Sequence, residues 1–326
     1  PGCKGHHKVN ILYIDAGGAV SEHNMYRYYG DLYRELREMT NVHTFQGSVS
    51  NINSLLAHIE QDIDCIIFGL GYFAQNNPSA FGKIEGLAEI KIPVACMLHK
   101  PQTMLDQKLE FCKINNVNLI VDSQCTYKDF EKQTGIKSMR LPFTATPKIF
   151  HPRNVEKKYD VGFSGALHGN GKISGPTKDL RVRIGDLLSA ESCEVFWNSG
   201  NTLDYRIHSV EEYATKINEC KIWLATTGPT EDVSPRYFEV MLSKTLLFCN
   251  NMPEQYEGIF QDGVNCVMFE NDLSDFKEKL DYYLANEAER LRIVSNAYSM
   301  VVGGYTWKHM AKNLVKEIEE LRCPFK

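Results

Sequence analysis

The sequence predicts an α/β protein built from two parallel sheets, each covered by helices. Short apolar runs alternate with segments of helical period from residue 9 to residue 141. A stretch with three prolines follows at 141–152, and the alternation starts again at residue 159. Strands that alternate with helices pair in parallel and carry helices on both faces. We therefore expect two Rossmann-like domains, at 1–150 and 151–326, that face a cleft.

The elements of the first half follow from their apolar spacing. Residues 9–15 are a buried strand that runs into a turn at Gly17 and Gly18. Apolar residues then recur every three or four positions up to Met39, as one buried helical face requires. Further strands are predicted at 42–45, 64–68, 93–98, 117–121 and 138–141, and helices at 52–59, 105–114 and 127–133.

The second half repeats this order. Its first strand, 159–165, runs into Gly165. Strands are then predicted at 193–197, 222–225, 245–248 and 266–269, with helices between them and at 273–284, 287–301 and 306–321. For the last helix two placements stay open, on its own domain or back on the first.

Composition narrows the class of protein. The 326 residues are 43% hydrophobic and 24% charged, which is typical of a soluble chain that folds throughout. With 36 Lys and Arg against 41 Asp and Glu, the net charge of -5 disfavours a nucleic-acid partner. No apolar run approaches the ~20 residues that span a bilayer, and residues 1–8 lack the apolar core of a signal peptide. We expect a cytoplasmic protein without stable membrane insertion.

The cysteines indicate no metal site. None of the 10 cysteines stands in a C-x2-C pair or in a Cys/His array with the spacing of zinc ligands. Cys65, Cys96 and Cys249 fall inside apolar strand segments, where a thiol behaves as a small buried hydrophobe. Free thiols of this kind favour a reducing compartment.

The segment 226–241 is the most informative for chemistry. Ser234 before Pro235 predicts a helix start, with the serine hydroxyl as N-cap and proline at the first helical position. The free N–H groups of that first turn and the charge of Arg236 suit a phosphate. Glu239 lies one turn further on the same face, where a carboxylate could bind two vicinal hydroxyls, and Glu231 lies in the preceding loop. Alternatively, Glu231 is a solvated loop acid and Glu239 pairs with Arg236.

These residues resemble a known family. Glu231 and Glu239 form the E-x7-E pattern of retaining, group-1-type (GT4-like) glycosyltransferases of the GT-B fold, whose two Rossmann-like domains face a central cleft. The segments 235–241 and 260–266 are similar to the donor-binding region of those enzymes. The ending, with Tyr305, Trp307 and a final helix, is most similar to the CgeB/YkvP-like subgroup.

The resemblance implies roles for individual residues. Glu231 would contact the transferred sugar, His99 would line the acceptor side of the cleft, and Arg236 would stabilise the leaving diphosphate. A lone histidine at a strand end is, however, more often structural or solvated. The donor nucleotide sugar would be bound by Glu239 at the ribose, by the backbone at Val233 and Ser234, by three glycines that allow close approach, and by basic residues at the diphosphate. The glycines are Gly17, Gly18 and Gly165, and the basic candidates are Lys172, Lys178, Arg181 and Arg183.

The implied reaction is transfer of a sugar, of the hexosyl class, from a nucleotide diphosphate sugar to an acceptor hydroxyl. UDP is the default nucleotide, and the acceptor would be a glycan, a lipid-linked molecule or a small molecule. Retention at the anomeric carbon and independence of metal and cofactor are also implied. Two alternatives stay open: a nucleotide-sugar epimerase, which would exchange a ring proton with solvent, and a bilobal protein that only binds its ligand.

Overall fold

The computed structural model describes residues 8–15, 27–73, 81–100, 103–124, 129–167, 175, 177–199, 207, 209–229 and 231–322, with residues 27–29 and 255 described by their backbone alone. Within these residues the chain forms two parallel sheets, one in each of two compact units. The first unit falls within 1–143 and 307–326, and the second is 144–306. The predicted α/β class is confirmed.

The first unit contains a six-stranded sheet. Its strands are β1 (Asn10–Asp15), β2 (Asn41–Gln46), β3 (Cys65–Phe68), β4 (Val94–Leu98), β5 (Leu119–Asp122) and β6 (Lys137–Arg140), paired in the order β2-β1-β3-β4-β5-β6. Every residue of β1, β3, β4 and β5 is buried. Such strands are apolar at consecutive positions because helices cover both faces of a parallel sheet.

The helices of the first unit come between its strands, with one exception. They are α1 (Arg27–Met39), α2 (Ile52–Leu56), α3 (Leu105–Ile114), α4 (Phe130–Thr134) and, from the end of the chain, α10 (Trp307–Arg322). Helix α2 stops at Leu56, short of the predicted residue 59. Helix α10 packs on α1, and Arg322 at its end binds the carboxylate of Asp64 at 2.5 Å.

The second unit contains a five-stranded sheet. Its strands are β7 (Tyr159–Ser164), β8 (Val195–Asn198), β9 (Cys220–Ala225), β10 (Leu246–Asn250) and β11 (Val267–Phe269), paired in the order β11-β10-β9-β7-β8. Its helices are α5 (Leu180–Ser189), α6 (Val210–Asn218), α7 (Arg236–Leu242), α8 (Phe276–Ala285) and α9 (Glu287–Gly304). A short 3-10 helix covers Glu254–Tyr256.

The units divide seven residues before the predicted boundary at residue 150. Thr144 and Ala145 already belong to the second unit, because the Thr144 hydroxyl donates to the Tyr305 carbonyl and Ala145 bridges to Thr306. The second unit ends at Thr306, so the last helix is grouped with residues 1–143. Contacts far apart in sequence set this division, and local patterns do not report them.

Two further expectations can be compared with the structure. Cys65, Cys96 and Cys249 lie on β3, β4 and β10 with no exposed surface, which confirms that they are buried hydrophobes. Among the described residues, no helix is both long enough and apolar enough to cross a membrane.

Gly162 on β7 should be intolerant of a side chain. A Cβ at this position would lie 2.4 Å from Cε3 of Trp223 and 2.5 Å from Sγ of Cys220. Both neighbours are completely buried on β9, so neither can move away cheaply. We expect Gly162→Ala to lower the free energy of unfolding by about 1–3 kcal/mol, measured by urea denaturation.

The matched control is Gly303→Ala in α9, where an added Cβ meets no described atom within 4 Å. Alanine is the better helix former there, so this variant should gain roughly 0.5–1 kcal/mol. Equal stability of the two variants would contradict the crowding at Gly162.

Candidate functional site

Four loops of the second unit meet at the carboxyl ends of β7, β9, β10 and β11. Thr177 donates to the Gly228 carbonyl at 2.7 Å, which joins the loop before α5 to the loop after β9. Asn250 at the end of β10 accepts from the Thr227 N–H at 2.9 Å and donates to Asn271 Oδ1 at 3.0 Å. Ligands of open parallel sheets bind at this edge, because all strands end there.

Arg181 brings a buried positive charge to this edge. Its guanidinium donates to Thr226 Oγ1 at 2.7 Å and to the Ala166 carbonyl at 2.6 Å, and it lies 5.8 Å from the centre of the Phe163 ring. Among the described residues no carboxylate forms an ion pair with it. Burial, and then the positive charge of Arg236, lower the pKa of Arg181 to about 10. A buried cation held only by neutral acceptors favours a bound anion.

Arg236 is the first residue of α7, and its Nε donates to the hydroxyl of Tyr213 on α6 at 3.2 Å. Glu239 lies one turn later, and its negative charge acts on the same tyrosine. Burial raises the pKa of Tyr213, and the negative charge of Glu239 raises it further. Burial alone would lower the pKa of Arg236, but Tyr213 and Glu239 outweigh it and leave that pKa above its ordinary value.

The two guanidinium groups converge on Gly165, directly after β7. A Cβ at this glycine would lie 3.4 Å from Arg236 Nη2 and 3.5 Å from Arg181 Nη1. Two adjacent positive charges raise each other's energy unless an anion lies between them or beside them. The arrangement therefore favours a bound anion, and a diphosphate carries the complementary charge.

The loop before α7 carries three of the predicted residues. Glu231 has a left-handed backbone (φ 59°) and an exposed side chain, and its N–H closes a turn onto the Gly228 carbonyl at 2.8 Å. Val233 is buried, and its N–H donates to the Tyr256 hydroxyl at 3.2 Å. The Ser234 Oγ is buried and has no hydrogen-bond partner among the described residues.

The prediction that Ser234 caps the helix is wrong. The capping position is taken by Pro235, which already has helical dihedral angles, and α7 begins at Arg236. The Tyr237 N–H, which the serine hydroxyl would cap, donates to the Ser234 carbonyl at 3.3 Å instead. The first turn therefore satisfies this donor with backbone oxygen, and the hydroxyl of Ser234 is not needed there.

Of the other basic candidates, Arg183 does not join the arginine pair. Arg183 lies two positions after Arg181 on α5, and residues at that spacing point in different directions. It donates to the Asn271 carbonyl at 2.9 Å and lies 3.8 Å from Asp179 Oδ1. Lys178, just before α5, is half-buried. Lys172, Gly17 and Gly18 lie outside the described residues.

His99 lies in the first unit, directly after β4, and is 3% exposed. Its ring packs edge-on against Phe143 with centroids 5.7 Å apart. The buried Lys108 ammonium donates to the His99 and Lys100 carbonyls at 2.7 and 2.9 Å, which fixes this strand end. Burial and the charges of Lys100 and Lys108 lower the pKa of His99 to about 3, so its imidazole is neutral at pH 7.

Sequence reasoning missed Tyr213, Thr226 and Asn250. Tyr213 is one tyrosine of 16 in the chain and stands in an amphipathic helix, where an aromatic residue predicts only packing. Thr226 directly follows the predicted strand 222–225, and Asn250 lies two residues beyond the predicted strand 245–248, so a search for polar residues near strand ends would have found both.

Known proteins resemble this chain in sequence over part of its length and in structure over nearly all of it. Residues 162–316, just under half of the chain, match a family model described as glycosyl transferase-like. The sequence matches no curated protein.

Solved structures resemble the whole chain. A sucrose-phosphate synthase from Thermosynechococcus elongatus has a TM-score of 0.66 at 10% identity, over 98% of this chain and 100% of its own. The HepE protein of Anabaena, in complex with UDP, has a TM-score of 0.64 at 12% identity, over 96% of this chain and 100% of its own. A glycosyltransferase from Rickettsia africae has a TM-score of 0.60 at 11% identity, over 96% and 98%. The fold of the chain is that of GT-B glycosyltransferases.

The buried His99 should make the protein less stable in acid. Its pKa of about 3 in the folded state lies below the value of about 6.5 in an unfolded chain. Between these values the unfolded chain binds the extra proton, so the stabilisation is complete above pH 6.5 and is lost as the pH falls. From pH 7 to pH 5 the loss is about 2 kcal/mol.

We expect His99→Gln to lose about 2 kcal/mol less than the wild type over this interval, measured by urea denaturation at each pH. Between pH 7 and pH 8 the imidazole is neutral in both states, so the free energies of unfolding of the two proteins should depend on pH in the same way. This interval is the control. Parallel curves down to pH 5 would show that His99 titrates normally.

Proposed function

We propose that the protein is a glycosyltransferase that moves a sugar from a nucleotide diphosphate donor to an acceptor hydroxyl. The observation that carries the proposal is the convergence of Arg181 and Arg236 on Gly165, at the carboxyl edge of a parallel sheet. The family match over residues 162–316 covers this same region.

The arginine pair suits the chemistry of the leaving group. When the sugar departs, negative charge builds on the nucleotide diphosphate, and donors fixed in advance stabilise that charge without reorganising. Hydrogen bonds between guanidinium groups and phosphate oxygens are strong and directional. Arg181 is held in place by Thr226 and Ala166 before any ligand arrives, which is the preorganisation that this role needs.

The remaining residues are assigned to the other parts of the donor: the ribose, the diphosphate and the transferred sugar. Glu239 lies one helical turn beyond Arg236, and we assign its carboxylate to the ribose hydroxyls. The backbone at Val233 and Ser234 would contact the diphosphate, and the exposed Glu231 would contact the transferred sugar. His99, as a neutral imidazole, would exchange a hydrogen bond with the reacting sugar or its acceptor.

We propose the donor, the acceptor and the stereochemistry of the reaction from the resemblance of the chain to known glycosyltransferases. We propose a UDP-sugar donor and hexosyl transfer, because HepE of Anabaena has been solved with UDP and with UDP-glucose. A glycan, a lipid-linked molecule or a small molecule would supply the acceptor hydroxyl. We also propose retention at the anomeric carbon, no metal or cofactor requirement, and a place near the CgeB/YkvP-like subgroup. The described residues favour neither an epimerase nor a protein that only binds.

Arg181 and Arg183 provide a matched pair for testing the donor site. Both are arginines of α5, but only Arg181 faces Gly165, while Arg183 binds Asn271. We expect Arg181→Gln to weaken UDP binding about tenfold to a hundredfold, the usual cost of losing a hydrogen bond to a charged group, and Arg183→Gln to change it less than about twofold.

The measurement is thermal stabilisation by UDP, GDP, ADP and dTDP. A nucleotide at ~100 times its dissociation constant should stabilise the wild type by ~2.7 kcal/mol. Glutamine keeps a polar group beside Thr226, which limits the structural damage at position 181. Equal losses in the two variants would remove Arg181 from its assigned role, and no stabilisation by any nucleotide would overturn the proposed function.

Retention and metal independence can be tested in one reaction. UDP-glucose carries an α-linked sugar, so a retaining enzyme that slowly hydrolyses it without an acceptor should first release α-glucose. We expect proton NMR to show the α anomer before mutarotation mixes the forms, at the same rate with and without EDTA. First appearance of β-glucose would indicate inversion, and loss of the rate in EDTA would indicate a required metal ion.

A further inference from the structure

We propose that Tyr213 is a positioning residue that orients Arg236 toward the diphosphate of the bound nucleotide. This inference rests on the proposed function, since it assumes that the same site binds a nucleoside diphosphate. Neither the sequence patterns nor the family match single out Tyr213.

The hydrogen bond between Arg236 and Tyr213 has only one possible direction. Arg236 Nε can only donate, so at 3.2 Å the tyrosine oxygen accepts from it. The accepting hydroxyl therefore sets the orientation of the Arg236 guanidinium.

The ring of Tyr213 is held by rigid elements. It packs edge-on against Phe150 at 6.0 Å and against the fully buried Trp223 of β9 at 5.8 Å. Its helix is fixed at the start by Ser209, whose hydroxyl accepts from the Glu212 N–H at 2.9 Å. The hydroxyl is therefore placed by the sheet and the helix and not by the ligand.

The terminal nitrogens of Arg236 are left for the ligand. Nε donates to Tyr213, and of the two terminal nitrogens Nη2 lies nearest to Gly165. Among the described residues neither terminal nitrogen of Arg236 makes a hydrogen bond. These nitrogens can donate to phosphate oxygens side by side, as guanidinium groups commonly do.

The test is the binding of UDP and of uridine to Tyr213→Phe, measured by calorimetry. Phenylalanine keeps the ring that packs on Phe150 and Trp223, so the variant should melt within a degree or two of the control. The control is Tyr159→Phe, which also removes a tyrosine hydroxyl. Tyr159 begins β7, at the end of the strand opposite to Gly165, and its ring packs on Phe196.

We expect Tyr213→Phe to weaken UDP binding about tenfold and uridine binding less than about twofold, because uridine has no diphosphate for Arg236 to bind. Tyr159→Phe should bind both ligands as the wild type does. In an Arg236→Gln background the effect of Tyr213→Phe on UDP should shrink to about threefold or less, since a residue that acts through Arg236 cannot act when it is gone.

Each result decides between the possibilities. Wild-type UDP affinity in Tyr213→Phe would overturn the role of Tyr213 and leave the proposed function intact. A tenfold loss that is the same in both backgrounds would also overturn it, because a general structural effect is additive. Failure of the wild type to bind UDP, GDP, ADP or dTDP would overturn the proposed function and the role of Tyr213 together.

Discussion

Parallel pairing is the constraint on which the rest of this molecule depends. A parallel sheet buries both faces, so β1, β3, β4 and β5 are apolar at consecutive positions, with polar residues only at the ends of β1 and β5. It also ends all its strands at the same edge, which collects the polar residues that follow them. In the second unit this edge gathers Gly165, Thr226 and Asn250, although 85 residues separate the first from the last. These residues therefore meet because of the sheet topology and not because of a shared sequence motif.

The charges at that edge favour the binding of an anion. Arg181 is buried without a carboxylate among the described residues, and its lowered pKa reflects both burial and the charge of Arg236. A structural arginine would normally gain its stability from a carboxylate partner. Here the charge is held in place by Thr226 and a backbone carbonyl, and its neutralisation is left to a ligand. The fold has therefore kept a local energetic cost that an anion can relieve.

Tyr213 sets how this charge pair is presented to the ligand. Its hydroxyl accepts from Nε of Arg236, and Nη2 of the same guanidinium lies near Gly165. A neutral side chain on a neighbouring helix thereby orients a charged residue of the site.

The sequence by itself determined the fold class, nearly all of the strands, and the importance of the segment 226–241, because hydrophobic period and helix signals are local. Helix α3 was predicted with its observed ends at Leu105 and Ile114. Tertiary structure alone decided that Arg181 and not Arg183 faces Gly165, that Ser234 does not cap α7, and that Tyr213 binds Arg236. It also placed the last helix with the first unit. Each of these depends on contacts between elements far apart in the chain, and local spacing carries no information about which side of a helix will meet them.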